Sequence, residues 1–120
     1  MKKITQTRWF EIILLVLISG FTYLPRIGEL TYYRDDWYFL YNALVNGAGV
    51  FVDVALHTRP IRGPLYVLYY SLFGLYPFPY HITMYLTRLS GGIGALWLFN
   101  LIWHNKRQAN FFMAALFLLF

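Results

Sequence analysis

Two adjacent aspartates, Asp35 and Asp36, open one segment of the chain, and a basic-proline element, His57-Thr58-Arg59-Pro60-Ile61-Arg62-Gly63-Pro64, follows further along. Neighbouring carboxylates can take a proton from an acceptor or hold a divalent cation. Two arginines bracketing a proline, just ahead of an apolar run, can grip a phosphate through their planar forks. Each feature also has a plain structural reading. One aspartate can cap a helix while the other favours its N-terminal dipole, and Arg59 and Arg62 can serve as interfacial anchors. Asp53 and His57 are weaker signals, each able to act as a cap, a loop contact or a support for a neighbour.

The elements that position these residues must sit in lipid. Of 120 residues, 59% are hydrophobic, 22% aromatic and only 12% charged, whereas a small soluble domain carries about 25% charged residues. The net charge is +5, but the ten basic residues form no dense run and do not interleave with the aromatics, which argues against nucleic acid as a partner. With no cysteine, a disulfide framework, a thiolate metal site and a thiol nucleophile are all excluded.

Met1-Lys2-Lys3 and Arg8 precede an apolar run that ends at Pro25. The stretch of about 17 residues over 9–25 is just long enough to cross a bilayer. No small-x-small site follows it, so it reads as a retained signal anchor, with Glu11 near its cytoplasmic end. The run from Leu65 to Leu75 is only about 11 residues long and suits an interfacial or re-entrant helix over 64–76. A third run, 80–103, is broken by Arg88 and is followed by His104-Asn105-Lys106-Arg107. Both basic clusters belong in the cytoplasm, which requires an even number of crossings between them. The segment 9–25 therefore crosses outward and 80–103 returns, leaving 26–79 outside. Within that outer loop, Trp37, Leu40, Tyr41 and Leu44 recur at helical spacing, which predicts a surface helix over 35–46 that ends at Gly47. The last run, 109–120, would extend about 18 Å against a hydrocarbon core of about 30 Å, as expected of a chain whose next span continues in a longer protein. The expected fold class is an all-α membrane protein, a polytopic helical bundle with juxtamembrane helices in its first outer loop. Ser90, Gly91, Gly92, Gly94 and Ala95 form a small-residue face suited to close helix packing. Arg88, about 12 Å into its span, needs a partner or water.

The order of these elements resembles the N-terminal region of GT-C fold membrane glycosyltransferases. It reads Tyr33-Arg34-Asp35-Asp36-Trp37-Tyr38, then Thr58-Arg59-Pro60, then Leu72-Phe73-Gly74-Leu75-Tyr76-Pro77-Phe78-Pro79-Tyr80-His81, then the long span ending in Lys106-Arg107. The resemblance, to the protein mannosyltransferase and aminoarabinose transferase type, covers nearly the whole chain. It implies a polyprenyl-phosphate-linked sugar donor and cell-envelope glycosylation at the outer or lumenal face of a bacterial or archaeal membrane. The acceptor is a protein, lipid or polysaccharide. Asp35 would then match the first acidic residue of the family's loop motif, which is a catalytic base or cation ligand depending on the member. Asp36 would match the second, and Arg59 the basic residue that contacts the donor phosphate. Arg62 is a helper without a defined counterpart, and Arg88 and His57 are accessory candidates; Arg88 would approach the donor phosphate or pair with Asp35, Asp36 or Asp53. The family's later acidic motif lies beyond Phe120, so this portion would not turn over alone. The competing expectation is a small non-catalytic membrane protein that translocates lipid-linked sugars or serves as an assembly subunit.

Overall fold

The computed structural model describes residues 2–57 and 59–120, and their side chains apart from those of 2–8 and 34. Met1, Thr58 and the side chains of Lys2, Lys3, Arg8 and Arg34 therefore lie outside the described residues, although each was part of a sequence expectation. The described residues form helices without strands: α1 (Lys2–Tyr23), α2 (Arg34–Asn46), α3 (Val50–Ala55), α4 (Arg62–Phe73), α5 (Pro77–Ile102) and α6 (Arg107–Leu119). One of them, through its segment Trp9–Arg26 with mean hydropathy 1.4, is long and apolar enough to cross a membrane. The α5 helix has 26 residues, but Arg88, Asn100 and the Ser90-Gly91-Gly92 run dilute its apolarity.

The chain divides into two compact units, Met1–Gly28 with Ile82–Phe120, and Glu29–His81. In the first, Leu15, Leu96, Ala114, Ala115 and Leu118 are buried, and Ile12, Leu89, Phe99 and Phe111 pack on them. Small residues permit this packing, as the sequence suggests, at Gly92. A Cβ there would lie 3.0 Å from Leu118 Cδ1, whereas one at Gly94 would meet nothing within 4 Å. Polar bonds then fix the register. Arg107 of α6 pairs with Glu11 of α1 at 3.0 Å, and the Tyr23 hydroxyl, at the other end of α1, donates to the Leu119 carbonyl at 2.9 Å. The two contacts span the same number of residues on both helices, about 18 Å at 1.5 Å per residue, so α1 and α6 run parallel. The α5–α6 hairpin is tied by Asn110, fully buried, whose Nδ2 donates to Asn100 Oδ1 at 2.9 Å and to the Trp103 carbonyl at 2.8 Å.

The second unit is organised around α3, a short helix that no periodicity in the sequence predicts. Leu40 and Ala43 of α2 and Phe51 of α3 form its core, with Tyr32, Phe39, Ala48, Tyr66, Val67 and Tyr70 packed against them. Gly47, at φ +84°, ends α2, and Gly74, at φ +58°, ends α4, conformations that side-chain-bearing residues rarely adopt. The closest approach is at Gly63, where an added Cβ would sit 2.8 Å from Val52 Cα and 2.9 Å from the Phe51 carbonyl oxygen. These are backbone atoms and cannot swing aside. Gly63→Ala should therefore cost about 1–3 kcal/mol through overpacking, seen as a lower thermal midpoint of the detergent-solubilised chain. Gly94→Ala, in open space, should leave the midpoint in place or raise it.

Candidate functional site

The outer segment places its two aspartates in different circumstances. Chain entry into α2 is set by Tyr33, in extended backbone conformation. Asp36 folds back on it: its Oδ2 accepts the Tyr33 backbone N–H at 3.2 Å, while its own N–H donates to the Tyr33 carbonyl at 2.9 Å. Asp36 thus satisfies an orphan donor of the helix start, as the reaching-back acid of a capping box does. Asp35 is exposed and has no side-chain hydrogen bond or ion pair among the described residues. Of the paired carboxylates read from the sequence, one is committed to structure and one is free for a ligand.

Asp36 also bears on Tyr32. Burial, and then the Asp36 charge, pushes the Tyr32 phenol above its ordinary range, so it stays neutral at physiological pH. Its hydroxyl is enclosed and has no hydrogen-bond partner among the described residues. The ring stands edge-on to Trp37 at 5.3 Å and to Tyr80 at 5.8 Å. This aromatic cluster was absent from the sequence reading, and the Tyr32-Tyr33 dipeptide beside the acidic pair was its only signal.

The basic-proline element forms the connection from α3 to α4. The Arg59 backbone N–H donates to the Ala55 carbonyl at 2.8 Å and the Arg62 N–H to the Arg59 carbonyl at 2.9 Å. These bonds wind 59–62 into the start of α4, and the Gly63 contact presses that start onto α3. Arg62 is engaged within its own helix: its Nη2 donates to the Tyr66 hydroxyl at 2.5 Å and its guanidinium lies 5.0 Å from the Tyr66 ring centre. The Arg59 side chain is exposed and has no such partner among the described residues. His57, on the same connection, and Asp53, on α3, are both exposed.

No match to a known protein emerges. Comparison with protein families, with curated proteins and with solved structures gives no relative of this chain. Any assignment of chemistry therefore rests on its own residues. Asp35, Asp36, Asp53, His57, Arg59 and Arg62 fall in one unit and Arg88 in the other. Among the described residues no ion pair joins these aspartates to Arg59 or Arg62. Arg88 instead finds partners in its own unit: its Nε donates to the Leu118 carbonyl at 2.8 Å, and its guanidinium lies 5.3 Å from the Tyr23 ring centre. Among the described residues no three carboxylate or imidazole side chains are grouped to hold a metal ion. With Asp36 engaged as a cap, Asp35 would offer a cation a single carboxylate, which falls short of the several oxygens a divalent ion requires.

The two carboxylates should separate in a stability measurement. Asp36→Ala should lower stability by about 1 kcal/mol, the scale of a capping bond. Asp35→Asn should change it by no more than a few tenths, since it breaks no bond. Circular-dichroism melts of the solubilised variants make the comparison, and equal losses would remove the distinction.

Proposed function

We propose that the chain forms the N-terminal region of an integral membrane glycosyltransferase of the GT-C type, which moves a sugar from a polyprenyl-phosphate donor to an acceptor at the outer face. The observation that carries the reading is the free carboxylate of Asp35, set beside a capping Asp36 on the same segment as the unengaged Arg59. In the reaction, the acceptor's oxygen or nitrogen attacks the anomeric carbon as its bond to the phosphate oxygen breaks, and the bonding pair leaves with the phosphate. Asp35 takes the acceptor's proton, and the Arg59 guanidinium offsets the charge that develops on the leaving phosphate. Arg62, held by Tyr66, adds positive potential at the start of α4 without direct contact.

The topology belongs to the same proposal: α1 crosses outward, α5 returns, and both basic clusters lie in the cytoplasm. The parallel register of α1 and α6 supports it, because it places the turn 103–106, with Lys106, at the Glu11 end of α1. Because the chain has no native cysteine, single cysteines at Asn46, Tyr76 and Gln108 can be probed with a membrane-impermeant reagent. The first two should react from outside and the third only after the membrane is opened. Outside labelling of Gln108 would defeat the two-crossing arrangement.

Chemistry is tested in the full-length protein with its lipid-linked donor. Asp35→Asn keeps size and polarity and breaks no bond, so it should abolish transfer while leaving the thermal midpoint unchanged. Asp36→Asn should have the smaller effect on transfer. Undiminished turnover in Asp35→Asn would take the residue out of the site, and failure of the unsubstituted protein to transfer sugar would overturn the enzyme reading.

A further inference from the structure

The α4 helix has two apolar faces with different fates. Gly63, Tyr66, Val67 and Tyr70 point inward, against α3 and the core of the second unit. Ile61, Leu65, Leu68 and Leu72 fall on the opposite side, at the spacing of a single helical stripe. They are 80%, 44%, 49% and 65% exposed. An aliphatic stripe of three turns, rimmed at its N-terminal end by Arg59 and Arg62, is not a surface that water tolerates without a purpose.

We infer that α4 lies flat on an anionic bilayer surface, its Ile61-Leu65-Leu68-Leu72 stripe in the acyl boundary and Arg59 and Arg62 at phosphate level. Three observations select lipid over a protein partner. The chain has no acidic residue after Asp53, so α4 itself carries only basic charge, in keeping with an anionic surface. The stripe itself carries no hydrogen-bonding group with which to specify a protein partner, and aliphatic residues edged by arginine are the pattern of an interfacial helix. A bilayer is also within the chain's own reach, since α1 contains a segment able to cross one. The outward side of α2 agrees, with Trp37, Tyr38, Tyr41, Leu44 and Val45 all exposed, residues typical of a membrane–water boundary. A re-entrant α4 does not fit, because its inward face is already packed on α3. Docking rests on the proposed outward crossing of α1 and is independent of sugar transfer.

The test uses the whole chain in vesicles of phosphatidylcholine with phosphatidylglycerol and no donor present. A single cysteine at Leu68 carries an environment-sensitive fluorophore, and one at Asp53, an exposed position on α3, serves as the aqueous control. Quenching by a nitroxide high on the acyl chain should be several-fold stronger at Leu68 than at Asp53, and stronger than by a nitroxide near the chain's methyl end. Leu65→Glu, which leaves the inward face untouched, should return the Leu68 label to water with helix content unchanged. Quenching at Leu68 should rise several-fold with phosphatidylglycerol content, and Arg59→Ala with Arg62→Ala should remove that rise. Iodide access at Leu68 equal to that at Asp53, stronger quenching by the deep nitroxide, or disulfides between unlabelled Leu68 cysteines that still form when oxidant is added after dilution with excess lipid would each overturn the inference. Since no donor is present, a docked α4 in a protein that transfers no sugar would overturn the enzyme reading and leave the docking in place.

Discussion

In a chain this apolar, hydrophobic contact can be satisfied in many arrangements, so the few polar groups decide which one forms. Leucine against leucine tolerates sliding by a turn; a carboxylate facing a guanidinium does not. In the first unit the Glu11–Arg107 pair and the Tyr23–Leu119 bond pin α1 and α6 at both ends, and Asn110 closes the α5–α6 hairpin. Each of these groups would cost several kcal/mol if left unpaired in an apolar setting, so a register slip of α6 forfeits all of them together. Direction and depth are specified by a handful of side chains, while the aliphatic majority supplies adhesion.

The second unit works by a different device, a backbone contact. At Gly63 the absence of a side chain lets α4 approach α3 until atoms of the two main chains touch, and that approach fixes how the 57–62 connection leaves α3. The Arg59 backbone is therefore held by its bond to Ala55 and, four residues on, by the glycine contact. A held backbone removes one part of the freedom that a guanidinium gives up on meeting a phosphate, and the exposed side chain gives up the rest.

Much of this organisation is written locally in the sequence. The surface helix expected over 35–46 is found at Arg34–Asn46, and the one expected over 64–76 at Arg62–Phe73, because their apolar periodicity and the glycines that follow are short-range signals. The α3 helix was not legible: Val50-Phe51-Val52-Asp53-Val54-Ala55 is too short and too β-branched to read as helix, and its helicity comes from packing between α2 and α4. The uses of Leu40 and Tyr41 also differ from the single stripe that their spacing suggests. Leu40 turns inward with Ala43, while Trp37, Tyr41 and Leu44 remain outside, since periodicity gives the apolar arc and tertiary contact decides which half of it is covered. Likewise, no local rule tells which aspartate of a pair will cap. That depends on the Tyr33 backbone presenting its N–H to the residue three positions on.

The same partition bears on where chemistry can reside. A side chain already occupied by a structural bond must break it to serve a substrate, and that cost is subtracted from binding. Asp36, Arg62 and Arg88 are all engaged, the first with Tyr33, the second with Tyr66 and the third with Leu118. Among the described residues Asp35 and Arg59 have no such partner, and in the proposed transfer they would supply the two opposite charges that departure of a phosphate and loss of an acceptor proton call for. Selection among the charged residues of this chain therefore follows from their partners more than from their types, and it leaves one carboxylate and one guanidinium on the same unit.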